Sequence, residues 1–166
     1  MGFYNPVTSS MVAELTKIVG DKNVSTDPDK LHPYSHDEVT ETRYHHMPEV
    51  VVFAENAQQV ADIVKLANKE LVPVVPRGAG TGLSCGAVPI FGGIVLSLEK
   101  MNRIIEVDPV NMFMVVEAGV RTEDVQKTAR ENGLLYAGDP CSGDSCFIGG
   151  NVATNAGGNK AVKYGT

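Results

Sequence analysis

Pro76-Arg77-Gly78-Ala79-Gly80-Thr81-Gly82-Leu83-Ser84 follows directly on the strand-like residues Val72 to Val75. Glycines let a backbone approach a ligand closely and turn successive N–H groups into one concavity, so such a stretch binds phosphate with little side-chain charge. It suits a pyrophosphate. A dinucleotide-binding turn of the Rossmann kind requires Gly-x-Gly-x-x-Gly leading into a helix. Gly78 and Gly80 fit that pattern, but Leu83 holds the third place and Cys85-Gly86-Ala87-Val88-Pro89 does not begin a helix. A P-loop fails as well, because no Gly-Lys-Ser/Thr occurs in the chain. A single loop of this kind is also what a flexible turn looks like, so a second feature has to decide.

Upstream, Val50-Val51-Val52-Phe53 is a β-branched strand, and Val60, Ile63, Val64 and Ala67 recur at helical spacing as far as Asn68. With Val72 to Val75 they predict strand, helix and strand in a right-handed crossover, a small α/β lobe. Farther upstream, Ser9-Ser10 precede apolar Met11, Val12, Leu15, Ile18 and Val19, and Gly20 follows, which predicts a short amphipathic helix with a capped start. Residues 21 to 47 have no period and read as an extended connection, within which Tyr34-Ser35-His36-Asp37-Glu38 reads as a solvated loop. Downstream, Ile94 to Leu98, Ile104 to Val107 and Phe113 to Ala118 are each strand-like and are expected to pair as a second sheet. A helix is expected from Thr122, with Val125, Ala129 and Leu134 inward, Glu123 and Asp124 at its positive start and Gly133 at its end.

Composition narrows the function classes. Across 166 residues, 43% hydrophobic and 20% charged content is that of a globular chain able to bury a core. A net charge of −6, from 14 basic and 20 acidic residues without a Lys/Arg cluster, argues against nucleic-acid binding. The apolar runs are far too short to span a bilayer. Cys85, Cys141 and Cys146 form an odd set without a CxxC pair, so no disulfide framework is expected. His32, His36, His45 and His46 lack zinc-site spacing, so no metal is expected either. Met1-Gly2-Phe3 shows no secretory signal, and Pro6 breaks a myristoylation motif at Gly2, so a cytoplasmic location is expected.

The deciding feature is a second polar, glycine-dense stretch, Asp139-Pro140-Cys141-Ser142-Gly143-Asp144-Ser145-Cys146-Phe147-Ile148-Gly149-Gly150-Asn151-Val152-Ala153-Thr154-Asn155-Ala156-Gly157-Gly158. Amides and hydroxyls interleaved with paired glycines supply donors and acceptors at close backbone approach, as a nucleotide or flavin ring demands. Two such loops in one small chain argue for one extended ligand. Together with Leu98 to Asp108, Glu117-Ala118-Gly119-Val120 and the final Lys163-Tyr164-Gly165, they resemble the FAD-linked oxidase family typified by p-cresol methylhydroxylase and vanillyl-alcohol oxidase. Within that family the likeness is to the branch of the glycolate oxidase flavin subunit and D-lactate dehydrogenase. It runs through nearly all of residues 48 to 166.

The resemblance implies an α+β fold: a two-lobed FAD-binding domain of the p-cresol methylhydroxylase type, truncated before the cap domain. The expected organisation is a helix and extended segment over residues 1–47 and the FAD domain over 48–166, with lobes at about 48–76 and, incomplete, about 77–166. It implies a pyrophosphate contacted by Pro76, Arg77, Gly78, Ala79, Gly80, Thr81, Gly82 and Ser84. Pro140, Ser142, Ser145, Cys146, Gly149, Gly150, Asn151 and Thr154 would lie along the ribityl chain and isoalloxazine. Some relatives attach FAD covalently through a His in the first loop; Arg77-Gly78-Ala79-Gly80 has no nucleophile, and Cys146, the candidate for a thioether, reads rather as a small packed thiol, so noncovalent FAD is expected.

The implied reaction of the parent is hydride transfer from the Cα of a small 2-hydroxyacid, D-lactate or glycolate, to flavin N5, giving a 2-oxoacid. Electrons would pass on to an electron-transfer flavoprotein or an iron–sulfur protein. In complete relatives a following cap domain supplies the catalytic residues, including histidines of a metal-assisted site, so no catalytic residue is expected in this chain and the chain alone is expected to be inactive. Arg43 and His36 are polar side chains that could approach a substrate, though each is more often a surface or loop-anchoring residue. The alternatives are a non-catalytic FAD-binding fragment and an alcohol or sugar oxidase of the same family.

Overall fold

The computed structural model describes residues 4–165. Gly2, weighed above for lipidation, and the terminal Thr166 lie outside them. The chain divides into two compact units, one ending at Lys100 and the other beginning at Met101.

Consecutive β-branched residues order the first unit. β1 (Val24–Ser25), β2 (Val50–Phe53), β3 (Val74–Arg77) and β4 (Ile94–Ser97) form one sheet in the order β1-β2-β4-β3. β4 pairs in parallel with both neighbours, matching Val51 and Val75 to Val95, and β1 closes one edge in antiparallel fashion. The segment Ile94–Ser97 was expected to open a second sheet; it is instead a central strand of the first. The physical reason is that all four of its residues are buried. A strand covered on both faces belongs inside a parallel sheet, whereas an outer hairpin alternates.

Helices cover one face of this sheet. α1 (Ser9–Val19) packs on β2 and on α3 (Ala57–Glu70), burying Met11, Leu15 and Val19 of the first and Ile63 and Ala67 of the second. The cap of α1 is Thr8 rather than Ser9 or Ser10: its hydroxyl accepts from the Met11 N–H at 3.2 Å. Gly20 ends α1 at φ +85. On the other face, Val51 and Val95 pack with Leu31, flanked by Tyr34, Phe53 and Val75.

Leu31 belongs to the stretch that reads as a plain extended connection, and the structure corrects that expectation. Residues 21 to 47 carry β1, α2 (Pro28–Leu31) and three short 3-10 turns, and Ser35 and Asp37 are buried rather than solvated. The lack of a period is real, but side-chain hydrogen bonds organise this stretch instead.

In the second unit β5 (Ile104–Asp108) and β6 (Phe113–Val116) pair as a two-stranded antiparallel ribbon with a register shift between Ile104 and Glu106. α4 (Thr122–Glu131) buries Val125 and Ala129, and Gly133 follows in a left-handed conformation. Val120, Val125 and Ile148 form the core, with Ile104, Met114, Val116 and Tyr136 packed on it. The expected loop from Ala137 to Gly158 contains a helix, α5 (Ile148–Thr154), and α6 (Ala161–Tyr164) follows. Among the described residues no helix is long and apolar enough to cross a membrane.

Candidate cofactor site

In the first unit β3 ends at Arg77 and the chain leaves the sheet through Gly78. Gly80 turns it at φ +76, a left-handed conformation free of cost only without a Cβ. A Cβ there would also land on the Arg77 guanidinium. That guanidinium is buried, donating to the carbonyls of His36 at 2.7 Å and Pro33 at 3.1 Å. Its centre lies 5.4 Å from the Tyr34 ring. Burial pulls the Arg77 pKa down, and burial followed by the Glu99 carboxylate pushes Tyr34 up to about 12. The Arg77 side chain is thus committed to protein carbonyls.

Farther along, the Gly82 carbonyl accepts from the Glu38 N–H at 3.0 Å. Cys85 sits at φ +57, and its N–H donates to Asp37 Oδ2 at 2.7 Å. The other Asp37 oxygen accepts from the Val39 N–H at 3.0 Å. Between these ties, among the described residues, the backbone N–H groups of Gly78 through Ser84 meet no protein acceptor, and the Thr81 and Ser84 hydroxyls make no hydrogen bond within the chain. The result is a fixed loop with its donors unused, which fits the phosphates of a dinucleotide.

The stretch that supports this loop also gathers imidazoles. His36 stacks on His45 at 4.5 Å and meets His32 edge-on at 5.6 Å, while Ser35 Oγ lies 3.0 Å from His36 Nδ1. Burial, and after it the two neighbouring histidines, lower the His36 pKa. Among the described residues no group of three or more His, Cys, Asp or Glu is placed to hold a metal ion.

The loop of the second unit is built around the buried Thr122. Its N–H and Oγ1 donate to the Cys146 carbonyl at 3.0 and 3.3 Å, and Asn151 Nδ2 donates to Oγ1 at 2.6 Å. Cys146 Sγ lies 3.1 Å from the same hydroxyl and is buried. The Ser142 carbonyl accepts from the N–H groups of Ser145 and Cys146 at 2.9 and 2.7 Å. A Cβ on Gly149 would collide with Ala118, whereas one on Gly150 would meet nothing within 4 Å. Gln126 first, and Lys160 second, hold the Asp139 carboxyl below its usual range.

Of the residues expected along the flavin, Cys146, Gly149 and Asn151 are therefore engaged inside their unit. Pro140, Ser142, Ser145, Gly150 and Thr154 keep exposed surface. Sequence reasoning missed Thr122 and Asp37 as organisers of the two loops. The one available signal for Asp37 was the polar run Tyr34 to Glu38, and nothing in its spacing connects it to Gly82 or Cys85.

The FAD binding domain family model matches residues 48–166. The chain is 44% identical over 166 residues to the D-lactate dehydrogenase of Anaerostipes hadrus, covering 98% of this chain and 34% of that protein. It is 35% identical over 159 residues to glycolate oxidase subunit GlcD of Bacillus subtilis (strain 168), covering 96% of this chain and 33% of that one. Among solved structures, p-cresol methylhydroxylase superposes with a TM-score of 0.66 at 31% identity, over 77% of this chain and 26% of its own. The chain thus spans about a third of the length of the curated relatives it matches. An uncharacterized FAD-linked oxidoreductase of Mycobacterium tuberculosis (strain ATCC 25618 / H37Rv) is 40% identical over 158 residues, covering 95% of this chain and 34% of that protein, and the free donors of Gly78 to Ser84 fit such a cofactor. The chain belongs to the FAD binding domain family, with the α+β fold of the p-cresol methylhydroxylase type, and its cofactor is FAD.

Proposed function

We propose that this chain is the FAD-holding part of a 2-hydroxyacid dehydrogenase acting on D-lactate or glycolate. The observation that carries the cofactor role is the run of unused backbone donors from Gly78 to Ser84, fixed at both ends. These N–H groups, with the Thr81 and Ser84 hydroxyls, bind the pyrophosphate, and Pro76 lies in the strand that presents them, one residue before its end at Arg77. Ser142, Ser145, Gly150 and Thr154 meet the flavin half, with Pro140 shaping their turn. The substrate class rests on the two relatives named above.

Attachment is noncovalent. Gly78, Ala79 and Gly80 offer no nucleophile, and Cys146 is enclosed against Thr122. Burial, reinforced by Asp37 and Glu41, raises the Cys85 thiol pKa and so disfavours the nucleophilic thiolate. When bound, FAD supplies two-electron oxidation of the 2-hydroxyacid to the 2-oxoacid. The chain's own residues hold the cofactor and keep its phosphates neutralised by backbone dipoles. An electron-transfer flavoprotein or an iron–sulfur protein accepts the electrons, and the cytoplasm is the proposed location.

The test is anaerobic addition of D-lactate or glycolate to FAD-loaded protein, both as this chain and as a polypeptide of its relatives' full length. Bleaching of the flavin bands in the full-length protein, with none in this chain alone, supports the proposal. A full-length protein that bleaches with neither acid, but with an alcohol or a sugar, overturns the substrate class.

A further inference from the structure

We propose that Asp37 and Arg77 are positioning residues that hold the Gly78–Ser84 loop in its cofactor-binding shape before FAD arrives, which rests on the reading that this loop binds the pyrophosphate. The loop's backbone donors serve a ligand only if the chain keeps them pointing together. Ordering them during binding would cost conformational entropy, and a loop ordered beforehand avoids that cost. The ties that order it come from one stretch of sequence, residues 33 to 38. Arg77 crosses beneath Gly80 to the Pro33 and His36 carbonyls, the Glu38 N–H takes the Gly82 carbonyl, and Asp37 takes the Cys85 N–H.

Asp37 is the more telling of the pair. Its side chain is 5% exposed, and both oxygens are used by backbone N–H groups, at Val39 and at Cys85. A buried carboxylate is costly without full hydrogen bonding, and beside a loop that receives an anion it is also repulsive. The Asp37 carboxylate also offsets part of the charge of the buried Arg77 guanidinium, but what ties it to the loop is two acceptor oxygens in fixed geometry. Asparagine has a similar shape but one oxygen, so it accepts from Val39 or from Cys85 and turns an N–H toward the other. Lysine at position 77 keeps the charge but lacks the planar fork that reaches two carbonyls.

The experiment measures FAD affinity by flavin fluorescence for the wild-type chain, Asp37→Asn and Arg77→Lys, together with hydrogen exchange of each cofactor-free protein. The expected result is an FAD dissociation constant raised about tenfold or more in both variants. Exchange should be faster at the Glu38, Val39 and Cys85 N–H groups, whose hydrogen bonds tie the loop, and unchanged in β2 and β4. Wild-type affinity in both variants overturns the proposal. So does exchange that rises throughout β2 and β4 with the loop, since the residues are then merely structural. If Asp37→Asn does not fold, Arg77→Lys decides by the same two readouts. A folded wild-type chain that binds no FAD overturns the underlying reading itself, and the proposal with it.

Discussion

At position 80 the fold leaves no room for even a single methyl group. Gly80→Ala places a side chain in the left-handed region, worth about 1–3 kcal/mol of strain, and drives its Cβ onto the Arg77 guanidinium. FAD affinity should fall at least about tenfold, measured by fluorescence titration; unchanged affinity would show that this turn does not shape the cofactor loop. In the second unit Glu117 is buried and accepts from the Arg103 N–H at 2.9 Å and from its guanidinium at 2.6 Å. Arg103 holds the Glu117 pKa below its usual value. A depressed pKa contributes stability that is complete above the unfolded value and is lost as pH falls through the folded one. Urea midpoints at pH 7 and pH 3 should therefore drop farther in the wild type than in Glu117→Gln. Equal drops would remove Glu117 from the acid response.

At the scale of elements, α3 shows how burial ranks neighbouring residues of one helix. Ile63 is fully buried and Val64 is 46% exposed. Ile63→Ala should cost about 2–5 kcal/mol in urea unfolding and Val64→Ala less than about 1 kcal/mol. Comparable losses would contradict the packing of that face. The helical period and the β2 run are what made these elements readable from sequence. Chain order alone pairs β4 with the later strands, although Ile94-Val95-Leu96 shows the unbroken apolar run of a central parallel strand. The α5 stretch reads as loop because Gly149-Gly150 disfavours a helix by roughly 1 kcal/mol per glycine, and the Asn151–Thr122 and Gly149–Ala118 contacts override that local preference. The loop chemistry was legible from composition and order. Its supports were not, because the ties of Asp37 to Cys85 and of Asn151 to Thr122 join residues 48 and 29 positions apart.

For the whole molecule, a ligand that binds only the folded state stabilises it by mass action. FAD at about a hundred times its dissociation constant should add about 2.7 kcal/mol, a rise of about 5–10 °C in Tm for a chain of this size. An unchanged Tm at that concentration would mean that the folded state has no preferential site. The most direct measurement is the visible absorption spectrum of the purified chain after incubation with FAD and desalting, repeated on the supernatant of acid-precipitated protein. The account predicts oxidised-flavin bands that survive desalting and appear in the acid supernatant. Flavin that stays with the acid precipitate would contradict noncovalent attachment, and a chain shown by circular dichroism to be folded yet carrying no flavin would contradict the assignment of the Gly78–Ser84 loop.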